Sequence, residues 1–123
     1  MDGASLPSAG EPSPELVLSE SRIGHRLVLA AEGEVDIASA DELRAALAAA
    51  VHSGAVEIWL DLTDVEFMDS TGITAVVDAR SQLDGRRFAV ICPPGPVRRV
   101  FEIAGIDRAI PIHASRSDAH AAP

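Results

Sequence analysis

The sequence is poor in cysteine and in aromatic residues. Cys92 is the only cysteine among the 123 residues, so no internal disulfide can form, which fits a reducing compartment. Aromatic side chains make up 3% of the chain against 47% for all hydrophobic residues, so the core must consist of Leu, Val, Ile and Ala. The chain therefore has little material for stacking on nucleic-acid bases.

Positive charge is scarce as well. The chain has 19 Asp and Glu residues against 10 Lys and Arg residues, which gives a net charge of −9. Binding to nucleic acid relies on Lys and Arg that neutralise the phosphates, so this charge argues against a nucleic-acid partner. A basic protein partner would suit the charge better.

Long apolar runs are missing too. No stretch approaches the roughly 20 apolar residues that a membrane-spanning helix needs. The first residues, MDGASLPSAGEPSP, lack the basic start and the apolar centre of a secretory signal. We therefore expect a soluble, cytoplasmic protein without a membrane partner.

The composition along the chain predicts a single domain between two tails. Residues 1–14 and 114–123 are rich in Pro, Ser, Gly and Ala, and we interpret them as flexible tails. No repeat or linker interrupts residues 15–113, which we interpret as the folded domain.

Hydrophobic periodicity predicts five strands and three helices. Two short apolar runs joined by RIGH predict a hairpin, and VEIWLDL alternates, with Val56, Ile58, Leu60 and Leu62 on one face. Glu57, Trp59 and Asp61 share the other, wetter face of that strand. The helices are predicted in SADELRAALAAAVHSG, STGITAVVDARSQLDG and PPGPVRRVFEIAGI, and the last strands in RFAVIC and RAIPIH. The predicted fold is α/β, with the order β-β-α-β-α-β-α-β, a small mixed sheet and helices packed on one face.

Two helices carry further local signals. Ser39 and Glu42 have the spacing of a capping box at the start of the first helix. The second helix is predicted to turn Ile73, Val76, Val77 and Leu83 inward. In the third helix Val97, Val100, Phe101 and Ala104 recur at i, i+3, i+4 and i+7, which predicts an inner face.

The stretch VEFMDSTGIT, residues Val65 to Thr74, stands between a strand predicted to end near Leu62 and a helix predicted to begin near Ser70. Ser70 could be a helix cap, a nucleophile, part of a phosphate cradle or a modification site. The G-x-S-x-G elbow, the P-loop and the dinucleotide fingerprint are all absent. The four histidines are scattered, and no group of residues has metal-ligand spacing. We therefore predict no enzyme activity, no cofactor and no metal.

A modification at Ser70 is physically reasonable. A phosphate adds a charge of about −1.5 to −2, and the positive end of a helix tolerates that charge without unfolding. Asp64, Glu66 and Asp69 lie nearby, so the new charge would repel a partner matched to the neutral hydroxyl. The stretch could therefore act as a switch that changes binding and spares the fold.

Three segments resemble the STAS-domain family and, within it, the anti-sigma factor antagonists. VEFMDSTGI after VEIWLDL resembles the family signature, and LVLAAEGEVDIASADELRAAL resembles its second strand, acidic loop and first helix. PPGPVRRVFEIAGIDRAIPI resembles its last helix and strand. The resemblance covers about residues 15–112 and implies the STAS fold for the domain.

The resemblance implies partner switching. The unphosphorylated protein would bind an anti-sigma factor that is also a serine kinase, and a sigma factor would be released to start transcription in a stress response. The kinase would then phosphorylate Ser70 and end the binding, and a metal-dependent serine phosphatase would reset the cycle. By the same resemblance Asp36, Asp69, Thr71, Gly72 and Ile73 would contact the partner, and Thr71 is a second possible acceptor.

Two other functions stay open. A STAS domain can be a subunit of a stress-signalling scaffold or an accessory subunit of a lipid-transport ATPase, and the latter would co-purify with a membrane ATPase. A small-molecule or nucleotide binder would need a pocket, and the sequence contains no recognisable lining for one.

Overall fold

The computed structural model describes residues 16–122, so the tail predicted at residues 1–14 lies outside the described part. The strands are β1 (Leu16–Ile23), β2 (Arg26–Val35), β3 (Glu57–Met68), β4 (Arg87–Ile91) and β5 (Ile112–His113). The helices are α1 (Ala40–His52), α2 (Ser70–Ser81), α3 (Pro96–Ile103) and α4 (Arg116–Ala121), with a 3₁₀ turn at Ile106–Arg108. The α/β class, the mixed sheet and the element order of the domain are confirmed.

The sheet has the order β1-β2-β3-β4-β5. β1 and β2 pair antiparallel, because the two residues Gly24 and His25 turn the chain directly back on itself. The other three pairs of neighbouring strands are parallel, because a helical connection returns the chain to the same end of the sheet each time. The carboxyl ends of β2 and β3 therefore meet at one edge.

The main core lies between one face of the sheet and helices α1, α2 and α3. It is aliphatic apart from two phenylalanines, Met68 and Cys92, as the composition requires. Its largest fully buried side chains include Phe101, Leu27, Leu43, Leu47, Ile58, Leu60, Leu62 and Leu83. The longest helix of residues 16–122, α1, has 13 residues, and none there is long and apolar enough to cross a bilayer.

Strand β3 is longer than the sequence pattern predicts. It continues past Leu62 to Met68, because two irregularities in its pairing with β2 let the ladder go on through the polar residues. The inner faces also differ in detail. Val56 precedes the strand and is 54% exposed, and Val77 on α2 is 40% exposed, so both predictions of burial are wrong.

The C-terminal stretch corrects a second prediction. Residues 116–121 form helix α4 instead of continuing a flexible tail from residue 114. Ser115 caps α4 by accepting a hydrogen bond from the amide of Asp118 at 3.0 Å. The helix packs on the second face of the sheet, where Ala119 is buried with Val28, Trp59, Ala89 and Ile91. Helices α1, α2 and α3 thus share one face, and α4 covers part of the other.

Candidate functional site

The predicted site lies where the parallel strands β2 and β3 end together. Val35 and Met68 are the last paired residues, and the amide of Asp69 donates to the Val35 carbonyl at 3.1 Å. The loop after β2 and the start of α2 are therefore neighbours at one edge of the sheet. We call the surface formed by Asp36, Ile37, Asp69, Ser70 and Thr71 the junction surface.

Asp69, not Ser70, caps helix α2. Its carboxylate Oδ1 accepts from the Thr71 amide at 2.9 Å and also from the Thr71 hydroxyl. Ser70 is the first helical residue, so the interpretation of Ser70 as the cap is wrong. An ionised carboxylate at this position satisfies a free N–H of the first turn and suits the positive end of the helix.

The two hydroxyls that follow Asp69 differ in their availability. Ser70 is exposed, and its Oγ makes no hydrogen bond with any residue in the range 16–122. The Thr71 hydroxyl is half-buried and already donates to Asp69. Of the two candidate acceptors, Ser70 is therefore the one whose oxygen a second protein can reach.

Gly72 and Ile73 lie beneath the junction surface. A Cβ at Gly72 would come within 2.7 Å of Met68 Cγ and 3.0 Å of Val35 Cγ1, so only glycine lets α2 pack this closely on the strand ends. Ile73 is buried in the main core. Neither residue has an exposed side chain for a partner to contact, which differs from the expected docking role. Both instead support the residues above them.

The loop that carries Asp36 is held by its own hydrogen bonds. Asp36 Oδ1 accepts from the amides of Ala38 at 2.9 Å and Ser39 at 3.2 Å. The fully buried Ser39 hydroxyl donates to the Glu34 carbonyl at 2.9 Å and makes no capping hydrogen bond to α1, so the predicted capping box does not form. These bonds hold one carboxylate oxygen of Asp36. The other, Oδ2, accepts no hydrogen bond within residues 16–122.

Two exposed apolar side chains near this edge were not found from the sequence. Ile37 is 83% exposed in the loop, and Phe67, paired with Glu34 near the end of β3, is 48% exposed. For Phe67 the sequence contains one signal, because Val65, Glu66 and Phe67 alternate as in a strand, whereas nothing near Ile37 in the sequence marks it. Exposed apolar residues of this size suit contact with another protein.

An acidic groove lies along the same two strands. It has a volume of about 510 Å³, and its lining includes the carboxylates of Glu32, Glu34, Asp64 and Glu66. Its negative charge adds to that of Asp36 and Asp69, so this end of the molecule favours a basic partner surface.

The described residues offer little for chemistry of their own. Burial raises the pKa of the Cys92 thiol to about 11, so the thiolate that a nucleophile requires is disfavoured. Within residues 16–122 no three His, Cys, Asp or Glu side chains come together as metal ligands. Of the two hydroxyls at the junction surface, that of Ser70 is the accessible one.

Comparison with known proteins connects this geometry to a family. A family model described as the STAS domain matches residues 18–119. BtrV of Bordetella bronchiseptica, named as an anti-sigma factor antagonist, is 36% identical over 107 residues, which cover 85% of this chain and 92% of BtrV.

Solved structures have the same fold. An anti-sigma factor antagonist from Mycobacterium paratuberculosis has a TM-score of 0.84 at 24% identity, over 90% of this chain and 97% of that one. SpoIIAA in its unphosphorylated form has a TM-score of 0.69 at 23% identity, over 82% and 91% of the two chains. Bacillus SpoIIAA in its phosphorylated form has a TM-score of 0.63 at 22% identity, over 82% and 95%. The chain therefore belongs to the STAS-domain family, within its group of anti-sigma factor antagonists.

Proposed function

We propose that the unphosphorylated protein binds a serine-kinase anti-sigma factor and so releases a sigma factor, and that phosphorylation of Ser70 ends this binding. The observation that carries the proposal is the exposed Ser70 hydroxyl, which has no hydrogen-bond partner in residues 16–122 and stands in the first turn of α2. The likeness to BtrV supports the role of an anti-sigma factor antagonist. The protein would be a ligand and a substrate rather than an enzyme.

The position of Ser70 explains why the fold would tolerate a phosphate. The first N–H groups of α2 and the positive end of its dipole favour negative charge at this point. The side chain already projects from the surface, so no core residue would have to move. The STAS fold is also known with a phosphate attached, since SpoIIAA has been solved in a phosphorylated form.

The charge around Ser70 explains why a phosphate would end binding. A phosphate adds about −1.5 to −2 charges at neutral pH next to Asp69, on the edge that also carries Asp36 and the acidic groove. A partner surface that fits a neutral hydroxyl would then face a bulky dianion. We propose that this partner contacts Asp36, Ile37, Phe67, Asp69 and Thr71, while Gly72 and Ile73 hold the helix start from beneath.

Reversal requires a second enzyme. A serine phosphomonoester is stable in water, so a metal-dependent serine phosphatase would have to remove the phosphate before the protein could bind again. Ser70 is exposed enough for such an enzyme to reach it.

The modification is tested by the intact mass of the protein purified from its own cells. We expect a phosphate-sized increment that phosphatase removes and that Ser70→Ala lacks. Ser81→Ala, an exposed hydroxyl at the other end of the same helix, is the matched control and should retain the increment. If no increment appears in growing or stressed cells, the scaffold or lipid-transport function becomes the better proposal.

The switch itself is tested by binding to the anti-sigma factor kinase. Ser70→Ala should bind and stay bound when ATP is added, whereas Ser70→Asp should fold normally and bind weakly. Circular dichroism checks the fold, and calorimetry measures the affinity. Release of Ser70→Ala by ATP would contradict the phosphorylation switch, and loss of folding in Ser70→Asp would make the junction structural.

A further inference from the structure

A second cavity lies at the other end of the sheet, beside the start of β4, and is bordered by α4 and by the end of α2. It has a volume of about 340 Å³, which is within the roughly 300–1,000 Å³ range of small-molecule sites. Trp59 and Ala89 contribute apolar surface from the starts of β3 and β4, and Ala119 contributes it from α4. Small side chains on several walls, such as Ala109 and Ala119, leave the space open.

Positive charge gathers at this cavity on a chain whose net charge is −9. Arg80, Arg86 and Arg87 all line it, and Glu57 is the one acid among residues 16–122 that does. Arg86 has a structural role, because its guanidinium donates hydrogen bonds to the carbonyls of Val51 at 2.8 Å and Ala55 at 3.1 Å. It still contributes its charge to the local potential.

The positive charges of the other two arginines, Arg80 and Arg87, are not neutralised by a close ion pair in the described part of the chain. Glu57 is already engaged by Arg26 Nε at 3.1 Å and by the Trp59 indole N–H at 3.0 Å. Arg87 Nε lies 4.0 Å from Glu57, at the limit of an ion pair, and its side chain is 66% exposed. Arg80 is exposed and has no ion pair within residues 16–122.

We propose that this cavity binds a small organic anion with an apolar body, such as a carboxylate or a phosphate monoester. The forked guanidinium groups of Arg80 and Arg87 suit the two oxygens of a carboxylate or a pair of the three terminal oxygens of a phosphate monoester. The apolar body would lie against Trp59, Ala89 and Ala119. A purely inorganic anion would leave that surface unused, and a neutral apolar molecule would leave the arginines unpaired.

The site is separate from the junction surface. The cavity contacts Glu57, the first residue of β3, whereas Ser70 lies two residues beyond Met68, the last one. Arg80 lies ten residues after Ser70 in α2, which is about 15 Å along the helix axis at 1.5 Å per residue, and the cavity lining includes no residue of the junction surface. Binding here therefore does not depend on the proposed partner switch, and its test needs no anti-sigma factor.

The test is a titration of the folded protein followed by NMR, with the single Trp59 indole N–H as reporter, because that group donates to Glu57 beside the cavity. The probes are phenyl phosphate, phenylacetate, inorganic phosphate and benzyl alcohol. We expect a saturable shift with at least one of the first two probes, and about tenfold weaker binding of the last two. The stronger of the first two identifies the headgroup. No saturable shift with either would overturn the proposal.

Three variants test whether the probe binds in this cavity. Arg87→Gln should weaken it about tenfold, as expected for a lost charge-assisted contact. Arg99→Gln, an exposed arginine on α3, is the control for general charge and should leave it unchanged. Ala109→Leu should block it by filling the space without disturbing a buried position. Equal weakening by both arginine variants, or full binding by Ala109→Leu, would contradict the assignment.

Discussion

The two faces of the sheet are stabilised in different ways. One is covered by α1, α2 and α3 and buries a continuous aliphatic core. The other is covered by the six-residue helix α4, which buries only a small cluster around Trp59. Hydrophobic burial scales with the area removed from water, so the first face must supply most of the stability of the domain.

Polar and aromatic contacts compensate on the second face. The guanidinium of Arg26 lies 3.8 Å from the centre of the Trp59 ring, and the His120 ring meets the same indole edge-on with 4.9 Å between centroids. Arg116 on α4 forms an ion pair with Asp61 at 2.6 Å. A helix held by a few such contacts should open more easily than the main core, so the second face is expected to respond to pH and to ligands.

The largest loss of stability should come from placing a charged side chain in the core that the first face of the sheet buries. Phe101 is fully buried, so Phe101→Asp should cost about 4 kcal/mol or more of unfolding free energy, because the carboxylate loses its water and the ring leaves a void. Urea denaturation measures the loss. Ile103→Asp on the same helix is the control, since Ile103 is 79% exposed and its change should stay within about 0.5 kcal/mol. An unchanged midpoint for Phe101→Asp would refute the inner face of α3.

A smaller, pH-dependent effect should come from the second face. Burial tends to raise the pKa of Asp61, but hydrogen bonds from the Thr63 hydroxyl and amide and the contact with Arg116 outweigh it and leave the pKa below 3.8. The folded pKa is thus lower than the unfolded one. Asp61 therefore stabilises the fold above about pH 4, and this contribution is lost as the pH falls through the folded pKa.

Asp61→Asn should therefore cost about 1–3 kcal/mol at pH 7, and the difference from the unmodified chain should shrink as the pH falls below about 4. Thermal unfolding between pH 7 and pH 2.5 follows this change. Asp107→Asn replaces an exposed acid and should have little effect at any pH. A constant difference over the whole range would mean that the charge of Asp61 does not hold α4.

The smallest effect should come from an exposed ion pair over the first face. Arg44 on α1 pairs with Asp78 on α2, with both side chains more than 40% exposed. Arg44→Ala should cost less than about 1 kcal/mol, and less still in 1 M salt, because water and ions screen the pair. A double-mutant cycle with Asp78→Ala isolates the pair energy. A coupling well above 1 kcal/mol would indicate that this pair orders the two helices.

The same contrast explains which predictions from the sequence succeeded. Val97 and Phe101 were placed correctly because a helix that covers a broad core repeats its apolar residues every three to four positions. Trp59 was assigned to a wetter face, since nothing near it in the sequence indicates that α4 returns to cover it. The cap, for which Ser70 was one candidate, is Asp69, because helix boundaries depend on one residue of backbone geometry.

The sequence by itself determined the element order, the aliphatic core and the stretch that carries the candidate acceptor, because periodicity and local motifs are properties of neighbouring residues. Only the tertiary structure decided which hydroxyl is free, which of the predicted contact residues are buried, and that Trp59, Arg87 and Ala119 meet around one cavity. These features depend on residues far apart in the chain. They arise only when strands β2 to β5 pair and α4 packs against them, so no local sequence pattern predicts them.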